Sequence, residues 1–353
     1  MTVSVTVLAA SETFEDEWDA LADRTSASPF VRPGWVNAWR ASFGRGDPLH
    51  MVASRGEEIV GVLPLERRKG TIESPTNKHT PKFDPVADDD DVVHQMAKKL
   101  FALGARRRSL GFVDRSQSLV SSWEPEARSA RFRPLVRVLQ RSPYVDTSVP
   151  WESYEQTLGK KLRTEIRRRR RRLEEMGHLR VEAHSDIERM EVLLDEGFRI
   201  EEAAWKGSEG TAINSDKATR DFYFAVARWG AARGWLRMAF LRLDDSNLAF
   251  DLSLETTDAH YLLKTGYDPS YRKFAPGMLM RYEMLKSTFE GGFSSYEFLG
   301  SNNPWKLEWT DKLRQRMLLQ AFAPSLAGRL DWAAHAHARP RAKKLLESLR
   351  KRG

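Results

Sequence analysis

The stretch YLLKTGYDPSYRKFAPGMLMRYEML, residues 261–285, gathers Lys264, Gly266, Arg272, Lys273, Pro276 and Gly277 around one strand-to-helix junction. Pro276 suits the first turn of a helix, where its missing N–H would have had no partner. Gly277 has no Cβ and lets another group approach the backbone. Open N–H groups at a helix start, together with the helix dipole, attract an anion, and Arg272 and Lys273 just upstream add full positive charge. A strand, a basic loop and a glycine-bearing helix start together describe a cradle for a pyrophosphate. Pro-Gly also opens many helices that bind nothing, so the neighbouring elements have to decide.

Composition narrows the chemistry. The 353 residues contain no cysteine, which removes disulfides, Cys-ligated metal and a cysteine nucleophile, so acyl chemistry here does not pass through a protein thioester. No His-Glu-x-x-His spacing occurs, and His335 and His337 stand two apart on an expected helix, where they diverge rather than converge on a metal. The formal net charge of +8 is unevenly spread. KKLRTEIRRRRRR (160–172) carries nine basic residues and one acid, and the segment 326–353 carries eight basic and two acidic. The rest of the chain is therefore net acidic, and two basic patches are available to phosphate, nucleic acid or an anionic surface. No apolar run approaches the roughly 20 residues that cross a bilayer, and MTVSVTVLAASETFEDEW lacks the basic start of a secretion signal, which predicts a cytoplasmic protein without a membrane span.

Periodicity then supplies the elements that must position the junction. Residues 3–9 alternate like a strand, FEDEWDALADRT and GWVNAWRASFG read as helices, and LHMVASRGEEIVGVLPLERR reads as two strands turning at Gly56. TIESPTNKHTPKFDPVADDDD, with three prolines and an acidic run, reads as a loop. A helix (VVHQMAKKLFALG), a strand (RRSLGFV) and a further strand region (FRPLVRVLQRSPYVDTS) follow. The chain then restarts. After a helix near WESYEQTLG and the Arg-rich helix ending by Gly177 come the strand LRVEAHS, two longer helices, a three-strand meander, the junction helix, SSYEFLGS and a last strand, RMLLQAFAP. The expectation is two α+β domains, 1–145 and 146–325, each with a mixed central sheet flanked by helices, plus a basic C-terminal helix at 326–353.

This layout resembles the GNAT acyltransferase superfamily, in particular the branch with BioF-like acetyltransferase domains of CelD-type proteins, neighbours of the Fem peptidyltransferases. The resemblance rests on Lys264-x-Gly266-Tyr267-Asp268, Tyr271, Ala275-Pro276-Gly277, Phe298-Leu299-Gly300, Trp305-Lys306-x-x-Trp309 and the Arg-rich helix, over about residues 150–325. The first domain matches by layout alone, as a degenerate copy. The usual phosphate loop, Arg/Gln-x-x-Gly-x-Gly/Ala, is here Arg272-Lys-Phe-Ala-Pro-Gly277, and the aspartate common before Leu-Gly is Glu297.

The resemblance implies a V-shaped cleft between DAHYLLKTGY and SSYEFLGS. Acyl-CoA as donor would lie against Thr265, Gly266, Tyr267, Arg272, Lys273, Ala275, Gly277 and Met278, with a free N–H near Thr265 to Tyr267 stabilising the oxyanion. A small-molecule or peptide amine would attack directly in a ternary complex. Its proton needs a base, and Asp251 and Glu297 are the candidates. Asp251 shares a polar row with Ser253 and Glu255 opposite Phe250, Leu252 and Leu254, a pattern that a half-solvated sheet also produces. Tyr267 and Tyr271 are proton donors to the leaving group or buried aromatics. Lys306, between Trp305 and Trp309, binds an acidic acceptor or phosphate, or packs its stem on indole.

Three readings follow. The first is a GNAT-type N-acyltransferase using an acyl thioester. The second is Fem-like amide formation from aminoacyl-tRNA, favoured by the altered phosphate loop and by Arg163, Arg167, Arg168, Arg170 and Arg171 as polyanion ligands. The third is a polyanion-binding protein without catalysis.

Overall fold

The computed structural model describes residues 2–9, 14–185, 187–205 and 216–338. In chain order the elements are β1 (Ser4–Leu8), α1 (Glu15–Arg24), α2 (Pro33–Phe43), β2 (Asp47–Arg55), β3 (Glu58–Arg68), β4 (Thr71–Glu73), β5 (Val86–Ala87), α3 (Asp90–Ala102), β6 (Arg107–Asp114), α4 (Ser118–Ser129) and β7 (Arg133–Asp146). They continue with α5 (Trp151–Thr157), α6 (Lys160–Glu174), β8 (Leu179–His184), α7 (Met190–Trp205), α8 (Lys217–Ala232), β9 (Leu236–Leu243), β10 (Ser246–Glu255), β11 (Ala259–Tyr267), α9 (Pro276–Glu290), β12 (Ser295–Glu297), α10 (Pro304–Leu307), β13 (Leu313–Phe322) and α11 (Leu326–Ala333). Among the described residues no helix is long and apolar enough to cross a membrane.

The chain forms two compact α+β units. The first takes the described residues of 1–40, 44–140 and 315–353, and the second takes 41–43 and 141–314. One order recurs in both: strand, two helices, three antiparallel strands, a helix, and a strand parallel to the third of those three. In the first unit α3 connects β4 to its parallel neighbour β6, and in the second α9 connects β11 to its parallel neighbour β12. Such a parallel return needs a crossover connection, which the helix provides. The strand beside each parallel partner comes from far along the chain: β13 pairs antiparallel with β6, and the end of β7 pairs antiparallel with β12. RMLLQAFAP, grouped by sequence order with the second half, therefore completes the sheet of the first unit.

Two sequence expectations need correction. The stretch expected as a loop after β3 carries β4, and β5 pairs β3 at Gly61 and Val62. Its acidic run ends in a cap, with Asp89 Oδ1 accepting from Val92 N at 3.0 Å to start α3. Sequence reading also missed α4, because Pro125 lies inside it. The basic C-terminal helix begins as α11, and the rest of that expectation, 339–353, lies outside the described residues.

In the second unit the sheet runs β8-β9-β10-β11-β12-β7. One face packs on α9, with Ala249, Leu262, Leu279, Met280, Met284 and Leu285 in a single apolar cluster. The other face packs on α7, whose Gly197 lies against the Phe250 ring so closely that a Cβ would meet it at 2.3 Å. Each such buried large side chain contributes about 1.5–3 kcal/mol. A bulge separates two parts of β11: Ser253 pairs Leu262 and Leu252 pairs Lys264, so Leu263 is surplus. Because of that extra residue, His260, Leu262, Thr265 and Tyr267 share the α9 face, while Lys264 and Gly266 share the α7 face.

Candidate active site

β11 and β12 pair at three positions, Ala259 with Ser295, His260 with Tyr296 and Tyr261 with Glu297. There β12 ends. The chain turns through Leu299 at φ +52° and Gly300 at φ +57°, while β11 continues to Tyr267 along β10. Two parallel neighbours thus part into a wedge, and α9 begins on the β11 side of it.

The start of α9 is unusual in its backbone. Ala275 adopts the left-handed conformation, φ +49° and ψ 57°, and no side chain caps the helix. A non-glycine residue held there stores of order 1 kcal/mol, a cost that clusters at functional sites. Gly277 follows, and a Cβ built on it would meet only the Tyr267 ring, at 3.5 Å. The preceding loop is less generous than the sequence suggested. Residues 269–274 form 3-10 turns that use their own amides: Tyr271 N–H donates to Asp268 O at 3.1 Å, and Ala275 N–H to Arg272 O at 3.0 Å. Met278 and Leu279 N–H both go to Ala275 O, at 3.0 and 3.3 Å. Arg272 and Lys273 are exposed, and Arg169 of α6 donates to Lys273 O at 2.5 Å, so the basic helix and the loop meet.

Below the wedge, on the α9 face, lies a buried polar network. Asp251 is fully buried against Arg281, which also donates to Thr265 Oγ1 at 3.3 Å and to the Tyr296 hydroxyl. The Tyr296 ring stacks on His260 at 4.6 Å, and His260 Nδ1 bonds Glu255 Oε1 at 3.0 Å. Burial pushes the His260 imidazole below its usual range against the pull of Glu255, which leaves it neutral at pH 7. Sequence reading named Asp251 and Thr265 here but missed Arg281, Tyr296 and His260. The available signal was an arginine inside the apolar run MLMRYEML, a position that helical spacing turns toward Leu285 and Met284.

Residues 160–307 match the family model described as an acetyltransferase (GNAT) domain. The second unit is a GNAT acetyltransferase domain. With it, the chain is a transferase. Solved structures similar in fold include FemX, 13% identical over 89% of this chain and 96% of that one, with a TM-score of 0.63. They also include the C-terminal domain (DUF2156) of a putative lysylphosphatidylglycerol synthetase from Agrobacterium fabrum, 13% identical over 93% and 97%, with a TM-score of 0.56. L-PGS from Bacillus licheniformis follows at 11% identity over 86% and 96%, with a TM-score of 0.51. No curated protein sequence matches the chain.

Within the GNAT domain the two candidate bases are not brought together. Asp251 faces α9. Glu297, next to Tyr296 on β12, faces the opposite side, where Arg314 Nε lies 2.9 Å from Oε1 and Ser295 Oγ donates at 3.3 Å. Both carboxylates therefore hold arginines. Tyr267 and Tyr271 are half-buried against the apolar cluster, and Tyr267 lies over Gly277. Lys306 is buried, with Nζ donating to the main-chain oxygens of Leu299 at 2.6 Å and Phe298 at 3.3 Å. It thereby ties down the turn that ends β12. Burial first, and the Arg281 charge second, push it down to about 8.

The arginines of α6 divide into two groups. Arg170 pairs with Glu283 of α9, and Arg163 Nε bonds Leu158 O at 3.1 Å. Arg167, Arg168 and Arg171 are exposed; Arg168 meets Glu165 at 2.7 Å and Arg171 meets Glu175 at 3.7 Å. Glu165, Glu174, Glu175 and Glu283 thus offset part of the charge that the sequence concentrates there.

Proposed function

We propose that the GNAT domain transfers an acyl group to an amine by direct attack in a ternary complex. The carrying observation is the wedge between β11 and β12 with the uncapped start of α9 at its side. The donor carbonyl lies along Thr265 to Tyr267, where a main-chain N–H takes up the charge that develops on oxygen. The acceptor ammonium gives up a proton, its nitrogen bonds to the carbonyl carbon, the bond to the carrier breaks, and the carrier oxygen or sulfur takes a proton. No covalent enzyme intermediate is needed, which suits a chain without cysteine.

Between the two donors, the loop favours aminoacyl-tRNA over coenzyme A. A pyrophosphate clasp draws on several open amides, whereas here the 3-10 turns consume theirs and Gly277 is the accessible first-turn residue. Exposed guanidinium groups at Arg167, Arg168 and Arg171, with Arg272 and Lys273, suit a repeating phosphate chain read by side-chain charge. The name lysylphosphatidylglycerol synthetase, borne by one structure of similar fold, describes joining a lysyl group to a lipid. Both donors are made in the cytoplasm, where this reading places the enzyme. The test mixes the protein and a primary amine with charged tRNA or with an acyl-CoA panel. Product that requires charged tRNA and vanishes with ribonuclease selects the first donor, thiol release selects the second, and neither defeats the reading.

A further inference from the structure

Lys264 and Gly266 stand in one of the motifs that carry the resemblance, yet neither faces the start of α9. Both face α7. A Cβ on Gly266 would lie 2.5 Å from Glu201 Cα and 2.9 Å from Glu201 N, so this glycine seats the α7 backbone directly on the wedge strand. The Glu201 side chain is 3% exposed, and Lys264 Nζ lies 3.7 Å from its Oε1. The same ammonium sits 5.1 Å from the centre of the Tyr223 ring. An ionised carboxylate this deeply buried is costly unless an opposite charge accompanies it, and Lys264 supplies that charge. Burial, with the Glu201 charge second, drives the Tyr223 phenol upward, so Tyr223 stays protonated and neutral beside the pair.

The position is what gives this pair chemical meaning. Lys264 and Gly266 flank Thr265, which lies on the stretch of β11 beyond its last pairing with β12. A donor carbonyl along Thr265 therefore has the Arg281 network on one side of the strand and Glu201 on the other. Asp251 and Glu297 already hold arginines, which have no proton to exchange at physiological pH. Glu201 is held by a lysine, whose flexible stem can yield to an incoming ammonium.

We infer that Glu201 is the residue that binds the acceptor ammonium and takes its proton, with Lys264 as its positioning partner, on the α7 face of the wedge. This rests on the acyl-transfer reading and deepens it: the acceptor is a primary amine that arrives as a cation. The proton moves from nitrogen to a Glu201 oxygen, the nitrogen lone pair forms the C–N bond, and the carrier leaves with the bonding electrons and a proton.

Two nucleophiles separate this role from a merely structural one. L-alaninamide arrives largely protonated below pH 8, whereas hydroxylamine is unprotonated at neutral pH and needs no base to expose its lone pair. Alanyl-tRNA and acetyl-CoA serve as donors for the wild type, Glu201→Gln, Glu201→Asp and Lys264→Met. Glu201→Gln should lose about 100-fold in kcat with L-alaninamide, keep its rate with hydroxylamine within threefold, and leave donor KM unchanged. Glu201→Asp should recover part of the loss, and Lys264→Met should shift the acid limb of the pH profile. Equal losses with both nucleophiles, or no loss with either, overturn the inference and leave acyl transfer standing. A wild type inert toward both nucleophiles with both donors overturns the acyl-transfer reading and the inference with it.

Discussion

Arg281 Nη2 lies 3.0 Å from one carboxylate oxygen of Asp251 and 2.9 Å from the other, and both side chains are sealed from solvent. Removing one member strands the other charge in the interior, which typically costs about 3–5 kcal/mol. Asp251→Asn and Arg281→Met should each lower the unfolding free energy measured in urea by that much, and the double variant should lose clearly less than the two losses added. A single variant that loses under about 1 kcal/mol would show that the pair is solvated or replaceable.

Lys306 gives the fold a pH window. Its ordinary value of 10.5 falls to about 8 on folding, so between those values the unfolded chain binds the proton and the folded chain does not. Stability contributed by this group therefore rises with pH from about 8 to 10.5 and is flat below 8, with a ceiling of about 3 kcal/mol. The check is the difference between wild type and Lys306→Met in urea unfolding at pH 7, 8, 9 and 10. A gap that does not change above pH 8 contradicts the depressed value.

At the start of α9, size and charge separate cleanly. The Tyr267 ring at 3.5 Å tolerates a methyl group on Gly277, so Gly277→Ala should leave the melting temperature unchanged and donor affinity within about threefold. Gly277→Glu puts a carboxylate where the donor anion belongs, and should cut donor affinity at least tenfold with the fold intact. Thermal stabilisation measures this directly, because a ligand at 100 times its Kd adds about 2.7 kcal/mol. Equal stabilisation of the Glu variant would remove the helix start from the donor site.

The arginines of α6 should differ in what their loss does. Arg167, Arg168 and Arg171 are exposed, and replacing all three with Gln should reduce the salt slope of tRNA binding by about 2, at roughly 0.7 per lost phosphate contact. Arg170, held by Glu283, should instead cost stability when replaced. Filter binding between 50 and 200 mM salt, with melting curves alongside, distinguishes the two. An unchanged slope in the triple variant would take RNA off this helix.

Much of the frame was legible because it rests on local signals. Trp18 and Leu21 at helical spacing, Gly56 at φ +66° between β2 and β3, and the Pro276 helix start all lie where periodicity and turn chemistry put them. The parts that were hidden depend on partners distant in sequence. Nothing in RMLLQAFAP announces that it pairs with Arg107–Asp114 some 200 residues earlier. The roles of Asp251 and Glu297 turn on Arg281 and Arg314, which no spacing rule links to them. Strict alternation would also have put Lys264 on the same face as Leu262, and only the pairing register shows otherwise.

Leu263 has no opposite number on β10. Extra residues of this kind bend a strand and sharpen its coil, and this one falls two positions past Tyr261, the final rung shared with β12. Deleting it would leave His260 and Thr265 on their present sides yet straighten the ribbon beside the wedge. One leucine thereby decides which side chains line each flank of the strand beyond its last rung with β12.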